Sequence, residues 1–443
     1  MSDPVLEPYR EDPSPKRPNL RLRAVILLAI LIGGAAYSIR KEPAELHVYT
    51  LAADRMLAGD EIYRPDDPKP FTYPPFMAVP FVPLLVFGQD VQKGLFFAIN
   101  LGIIWWSIAL LRRLLMRTFD WRDGPSPWVL AVVIALLTGR QVAASFSNQS
   151  HDLFILLSIL LGAERLSRGA CSGARIFGGA GFGLAAALKA TPGLFLVSMG
   201  AARRIRAILG FGLAGLFLTL LPDLLFPRDD GKLHGMAWFD TFVRSQNVGG
   251  TAVKEGTWKP WNSLNQSLAG SVYRLTHKPP PLGPLDDPRR FPDVTLLSVG
   301  TSTAKTITLA MQALVVALLA WWCRRRRGDD ASPRDRSFAI FGDVSLTACA
   351  MLLLSPMSSK SHFCVLLLPA AYCVSTWIHR GQSKAILRLL IASFVVGTLT
   401  TKGILGKSIG YTVLAAGSVT WATMLMFVAA GVARGQVSPR TDS

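Results

Sequence analysis

Four clusters in this chain combine groups that can take protons, hold anions or hydrogen-bond a polar ligand. The first runs Glu45-Leu46-His47-Val48-Tyr49, continues as Ala58-Gly59-Asp60-Glu61-Ile62-Tyr63 and closes on Phe71-Thr72-Tyr73-Pro74-Pro75. The second is Asn148-Gln149-Ser150-His151-Asp152, and the third is Leu188-Lys189-Ala190-Thr191-Pro192. The fourth is Leu354-Ser355-Pro356-Met357-Ser358-Ser359-Lys360-Ser361-His362. A carboxylate such as Glu45 or Asp54 can act as a base toward a hydroxyl group. Lys189 stands alone in an apolar segment, where a cation is costly and marks a functional site by default; capture of a phosphate suits it. Lys360 and His362 follow the helix-breaking Ser355-Pro356 and suit the same anion, or proton transfer by the histidine. The competing readings are solvated acids on a surface helix and a lysine that snorkels from a helix end. Tyr73-Pro74-Pro75 reads as a shape element, because proline fixes the backbone and offers no donor.

The elements that must position these groups are membrane helices. Half of the 443 residues are hydrophobic. Apolar runs at 24–38, 129–144, 153–163, 208–226, 306–323 and 411–433 approach the roughly 20 residues that cross a bilayer core. The formal charge of +18 lies in short Lys/Arg clusters between those runs. That is how cytoplasmic loops determine topology, so a nucleic-acid partner is not expected. Cys171, Cys323, Cys349, Cys364 and Cys373 have no Cys-x-x-Cys spacing. They read as small buried residues, neither a disulfide framework nor a metal site.

Placing the basic clusters inside threads the chain through the bilayer. The tail with Arg10, Lys16, Arg17, Arg21 and Arg23 stays inside and the first span leaves near Arg40. Residues 44–62 form an amphipathic helix. The proline-broken segment 73–88 reads as a juxtamembrane element, because a crossing there would put Arg112, Arg113, Arg117 and Arg122 outside. Spans follow at 91–115, 127–146 and 151–166. The segment 176–202 must be two short helices meeting near Lys189 and Pro192, so that Arg203, Arg204 and Arg206 remain inside. Further spans at 207–226, 302–323, 338–355, 363–378, 385–400 and 410–433 give about twelve in all. The expectation is an all-α polytopic membrane protein in the inner (plasma) membrane with both termini cytoplasmic. Residues 1–19 and 434–443 are tails, and 20–433 form one transmembrane catalytic domain with outer loops 40–90 and 227–300. All four clusters then lie on the non-cytoplasmic face.

In order and spacing, the clusters resemble glycosyltransferase family 87, the polyprenol-phosphate-mannose-dependent mannosyltransferases and their bacterial relatives of the GT-C type. The family shows an acidic-Leu-x-Val-Tyr stretch, Gly-x-x-x-Tyr, Tyr-Pro-Pro, Gly-Gln, Lys-x-x-Pro, Asn-Gln-Ser and Ser-Pro-x-Ser-Trp-x-His-His. Asn262-Ser263-Leu264-Asn265-Gln266-Ser267-Leu268 supplies the Asn-Gln-Ser element, and the resemblance covers roughly residues 40–370. This chain departs in having Glu45 where the family has Asp, Asn148-Gln149 for Gly-Gln, and Ser359-Lys360-Ser361-His362 for Trp-x-His-His.

The resemblance implies transfer of a hexose, mannose by family default, from a polyprenyl-phosphate sugar donor to a glycolipid or glycan acceptor, with inversion. Glu45 is the first candidate for the base by its motif position. Asp54 is the second, nine residues on (45 to 54) and half a turn from register at about 100° per residue. Lys189, Lys360 and His362 would hold the phosphate. Asn148, Gln149, Asn265 and Gln266 would bond sugar hydroxyls, or else cap loops. The leaving group is a monophosphate, so no metal or other cofactor is called for. The rival readings are a transporter or flippase of lipid-linked saccharides and a non-catalytic envelope-assembly protein. A transporter should show internal repeats with midplane polar residues, and the polar residues here gather at one face.

Overall fold

The computed structural model describes residues 45–121, 127–169, 172–244, 259–281, 292–324 and 332–436, with positions 33, 34, 36, 37 and 40. Most of the expected first span, the N-terminal tail, most of the C-terminal tail, Cys171 and most of the 324–327 arginine run lie outside the described residues. No strand occurs among the described residues.

The first half holds α1 (Leu46–Leu57), a 3-10 helix Pro75–Val86, α2 (Gln89–Thr118), α3 (Pro127–Ser147), α4 (Asp152–Arg168) and α5 (Ser172–Leu188). After a 3-10 turn Thr191–Leu194 come α6 (Phe195–Ala201), α7 (Ile205–Leu225) and α8 (His234–Trp238). The second half holds α9 (Leu268–Thr276), α10 (Thr301–Arg324), α11 (Pro333–Leu354), a 3-10 helix Lys360–Leu366 and α12 (Leu367–His379). Then follow α13 (Lys384–Phe394), a π-helical turn Val395–Leu399, α14 (Lys402–Leu405), α15 (Lys407–Ala415) and α16 (Ser418–Gly435).

Among the described residues, seven elements are long and apolar enough to cross a membrane: α2, α3, α7, α10, α11, α12 with its leading 3-10 turn, and α16. Their outward side chains include Trp105, Trp106, Leu213 and Phe217, an apolar surface that a bilayer would cover. α11 and α12 form the core, with Phe338, Phe341 and Tyr372 fully buried between helices. The 3-10 helix Pro75–Val86 has 12 residues with Pro80 and Pro83 inside it. It is too short to cross, and its prolines deny it an α-helical ladder.

The segment 176–202 breaks where its lysine and proline stand. α5 stops at Leu188, and Pro192 opens the next turn. The run 410–433, by contrast, is not one helix. α15 ends at Ala415 and α16 starts at Ser418, because Gly417 adopts φ +89°. That left-handed turn brings the backbone against Ser271 of α9, where a Cβ on Gly417 would come within 2.6 Å of the hydroxyl.

Small residues bring α4, α5 and α7 into backbone contact. A Cβ on Gly181 would meet the Gly162 backbone nitrogen at 2.6 Å, and one on Gly183 would meet the Phe211 carbonyl at 2.6 Å. A Cβ on Gly179 would overlap the Ala207 carbonyl. Such close approach is how helices associate where no water drives them together. The antiparallel α4–α5 pair therefore brings the start of α4 beside the end of α5.

A second set of ion pairs lies at the opposite end of α4. Buried Glu164 binds Arg117 at 3.1 Å and Arg168 at 2.7 Å, while Asp335 binds Arg380 at 3.2 Å. Asp343 of α11, 1% exposed, pairs with Arg204 before α7 and with Arg434 of α16, the latter at 2.9 Å. Removing one member of such a buried set leaves the others uncompensated. Asp343→Asn is expected to cost about 3–5 kcal/mol, read as an earlier thermal transition in detergent, while Lys232→Gln at the surface leaves that transition in place.

Candidate active site

The turn between α3 and α4 assembles the second cluster. Gln149 takes a left-handed φ of +51° and is buried, a conformation that costs a non-glycine residue on the order of 1 kcal/mol. The turn it makes exposes the Asn148 carbonyl, which accepts the Glu45 backbone N–H at 3.2 Å and so docks the start of α1. It also sets Ser150 beside Asp152, whose Oδ2 accepts the Ser150 hydroxyl at 2.8 Å.

Asp152 and Lys189 face each other across the α4–α5 pair, with Oδ1 and Nζ 3.2 Å apart. His362 reaches the same carboxylate oxygen from α12's leading turn, its Nε2 lying 3.9 Å away. Its Nδ1 accepts the Ser359 N–H at 3.2 Å. A neutral His362 therefore carries its proton on Nε2, toward Asp152. The Asp152 side chain is 3% exposed. Asp152 is thus a charge that holds Lys189 and His362 in place, with no open side of its own for a substrate.

Glu45 has the open side. Its side chain is 19% exposed and lines a cavity of about 210 Å³ with Lys69, Thr72, Tyr73, Ser359 and His362. That volume lies below the roughly 300 Å³ at which ligand pockets usually begin, so it suits one sugar unit better than an oligosaccharide. Glu45 Oε1 pairs with Lys69 Nζ at 2.9 Å, and Oε2 accepts the Tyr49 hydroxyl at 3.4 Å. Desolvation by burial raises the carboxyl pKa above its usual 4.5, and Lys69 partly opposes that rise. Tyr49 also lies 2.8 Å from His151 Nδ1. His151 is fully buried between the Tyr49 and Tyr73 rings, 5.1 and 4.5 Å away, with no partner for its Nε2 among the described residues. Burial pushes both tyrosine pKa values well above 10, so both keep their protons.

The candidates divide. Glu45, Tyr73 and His362 share the cavity, and Lys189 stands directly behind His362 at Asp152. Asn148 and Gln149 form the turn that supports them. Asp54 does not join: it is exposed on α1, half a turn from Glu45 as the helical period requires. Lys360 belongs to the same 3-10 turn as His362 but is not among the residues lining the cavity. Asn265 and Gln266 have their amides committed elsewhere. Asn265 Oδ1 accepts from Ser267 and Ser358, and its Nδ2 donates to the Pro356 carbonyl. Gln266 Nε2 donates to the Ser263 and Leu414 carbonyls, both at 2.7 Å. Together they fasten the 356–359 loop that carries His362.

Asp152, Lys69, Tyr49 and His151 join the site only in the folded chain. Asp152 has a sequence signal, an acid opening an apolar helix in a chain with one intramembrane lysine. Lys69 has none, since a Pro-rich turn decides where it points.

The sequence pattern of glycosyltransferase family 87 matches residues 71–356, and the chain belongs to that family. Tyr73, Asp152 and Lys189 fall within the matched stretch, while Glu45 and His362 flank it. The chain is 26% identical over 380 residues to the polyprenol-phosphate-mannose-dependent alpha-(1-2)-phosphatidylinositol pentamannoside mannosyltransferase of Mycobacterium tuberculosis, covering 83% of this chain and 74% of that protein. The enzyme of the same name from Mycolicibacterium smegmatis is 26% identical over 351 residues, 77% and 70% of the two chains. A polyprenol-phosphate-mannose-dependent alpha-(1-2)-phosphatidylinositol mannoside mannosyltransferase of M. tuberculosis is 24% identical over 377 residues, 82% and 76%. No solved structure matches the chain.

If the Asp152–Lys189 pair is required as charge, restoring packing will not restore activity. Lys189→Leu alone should lose about 3–5 kcal/mol, since it strands a buried carboxylate, and the double variant Lys189→Leu/Asp152→Leu should regain most of that. Sugar transfer should be absent in both, as measured by thermal melting and product formation on the same purified samples.

Proposed function

We propose that this member of glycosyltransferase family 87 moves a hexose, mannose by analogy with its relatives, from a polyprenyl-phosphate sugar to a glycolipid or glycan acceptor. The observation that carries this reading is the Glu45 carboxylate on one wall of the cavity, facing His362 with its Asp152–Lys189 support.

In the proposed reaction, the acceptor oxygen bonds to the anomeric carbon as the bond from that carbon to the phosphate oxygen breaks. The electron pair leaves on the phosphate, and the acceptor proton passes to Glu45. Burial suits Glu45 to this role, because a raised pKa brings a carboxylate closer to the strength an effective base needs near neutral pH. Tyr49 aims the carboxylate through its hydrogen bond, and His151 holds Tyr49. His362, Lys69 and Lys189 are the groups that would meet the phosphate's charge. Asn148, Gln149, Asn265 and Gln266 act by placing loops. Displacement from one side inverts the anomeric centre.

The sidedness belongs to the same proposal. The four clusters meet at one end of the bundle, and Arg117, Arg168 and Arg380 pair with carboxylates at the other. By the positive-inside rule the arginine end is cytoplasmic. The site then faces outward from the plasma membrane, with about twelve spans and both termini inside. Residues 20–433 act as one catalytic domain between two cytoplasmic tails.

Two measurements test this. With a polyprenyl-phosphate-mannose donor and a phosphatidylinositol mannoside acceptor, Glu45→Gln should lower kcat by about 10²–10⁴-fold. Glu45 is active when deprotonated, so the rate should fall as pH drops through its raised pKa, with the acid limb lying above 4.5. Lys69→Met removes an opposing charge and should move that limb to higher pH. Full activity in Glu45→Gln would overturn the base assignment. For topology, in a Cys171→Ser background, a membrane-impermeant thiol reagent applied to whole cells should label Asp54→Cys and spare Arg113→Cys. The reverse pattern would invert the orientation.

A further inference from the structure

Between the buried residues Tyr63 and Phe71 the chain makes a surface excursion, Arg64-Pro65-Asp66-Asp67-Pro68-Lys69-Pro70. A proline after Asp67 and another after Lys69 bias both residues toward extended backbone. Within the excursion, the Asp67 N–H donates to the Arg64 carbonyl at 3.2 Å. The Asp67 side chain is tied back to α1. Its carboxylate accepts from both terminal nitrogens of Arg55, Nη1 to Oδ2 and Nη2 to Oδ1, the latter at 2.9 Å. The two side chains are 13% and 15% exposed. Arg55 stands near the end of α1 and Glu45 at its start, ten residues away (45 to 55) or about 15 Å along the helix. Lys69, two residues past Asp67, reaches back to Glu45, with 2.9 Å between Nζ and Oε1.

The two ion pairs differ in kind. The Lys69 side chain is 44% exposed, and a single pair from so open a lysine does little to hold two flexible side chains together. The Arg55–Asp67 pair is bidentate, which fixes direction as well as distance. Asp67, Pro68, Lys69 and Pro70 all line the cavity over Glu45. The place of this loop therefore decides one wall of the cavity and the charge beside the carboxylate. Arg55 is not among the residues lining that cavity. It acts through Asp67.

We propose that Arg55 and Asp67 are positioning residues for the transfer reaction: their paired hydrogen bonds clamp the 64–70 loop to α1 and hold the Lys69 ammonium against the Glu45 carboxylate. The proposal rests on the reading of Glu45 as the base. Glu45 is faced by Lys69 and Tyr49, with His362 across the cavity and Asp152 and Lys189 acting by charge alone. Of these, Lys69 is the one carried by the clamped loop. Its positive charge favours the ionised carboxylate, so a loop that swings out lets the Glu45 pKa climb further above 4.5. The rate, which needs ionised Glu45, then falls off at a higher pH. The clamp stays closed across that range, because the Arg55 hydrogen bonds hold the Asp67 carboxyl below its usual 3.8.

The test compares Arg55→Met, Arg55→Lys and the neighbouring control Arg64→Gln, each as the full chain in lipid nanodiscs with the same donor and acceptor. Arg55→Met should move the acid limb of the pH–rate profile up by about one unit, in the direction expected of Lys69→Met, and Arg55→Lys should recover part of the shift. In the double variant Arg55→Met/Lys69→Met the limb should lie where Lys69→Met alone puts it, the non-additivity of residues that act through one another. Arg64→Gln removes an exposed cation from the same loop and should leave the limb in place. Amide exchange over residues 64–73 gives a readout that needs no activity. Arg55→Met should speed it about tenfold, while Glu45→Gln leaves it as in wild type. A rate lowered equally at every pH, with the limb unmoved, would give Arg55 a packing role only and overturn the proposal. Unchanged exchange in folded Arg55→Met would overturn it too. If Glu45→Gln transfers sugar normally while Arg55→Met speeds exchange, the base assignment fails and the clamp stands.

Discussion

Asp152 and Lys189 bring opposite charges together at a depth where neither is stable alone, and much of the surrounding structure follows from that requirement. An ammonium in an apolar helix either reaches water or finds a carboxylate. Here it finds one 3.2 Å away, and it can do so because glycine-rich faces let α4 and α5 approach to backbone contact. The same pair explains where α5 ends, since Lys189 must sit at the last turn to reach the first residue of α4. It also explains His362, whose Nε2 proton faces that carboxylate. Remove the pair, and the closeness of α4 to α5 would serve only packing.

Several of these relations are legible in the order of the amino acids alone. Lys189 and Pro192 in one apolar run demand a break, and the helix breaks there. Glu45 at the start of an amphipathic segment indicates an acid near the membrane surface, and Asp54 follows from the same helix. Its exclusion is also a matter of period, since nine residues leave it half a turn away. The break in the 410–433 run is not legible. A single glycine within an apolar stretch is usually tolerated in a helix, and the close approach to Ser271, which leaves no room for a Cβ on Gly417, arises only when a segment far along the chain packs there. The roles of Asn265 and Gln266 are hidden for a similar reason. An amide looks the same in sequence whether it faces a sugar or a carbonyl 148 residues away, as Gln266 does.

The site thus has a division of labour by burial. Fully buried polar groups such as Gln266, His151 and Asp152 have partners that hold them, and they act by placing others. The partly open groups, Glu45, Lys69 and Tyr73, line the cavity. Preorganisation of this kind is worth more in a water-poor site than in solution, because charges need not reorganise at the moment of reaction. The aromatic wall made by Tyr49, Tyr73 and His151 serves that end. Its rings pack edge to face at 4.5–5.7 Å and leave the Tyr49 hydroxyl little freedom.

The direction in which the Glu45 side chain reaches follows from its place at a helix start. It occupies the N-cap of α1, where a short aspartate would fold back onto the free N–H groups of the first turn. Glutamate is one methylene longer and makes no such cap here. Its carboxylate extends past the helix end to Lys69 and Tyr49 instead. The helix start is held from outside, by the bond from the Glu45 N–H to the Asn148 carbonyl. The strained Gln149 turn makes that carbonyl available. Freed from capping its own helix, the carboxylate can face the cavity, so the longer acid and the asparagine-containing turn are parts of one arrangement.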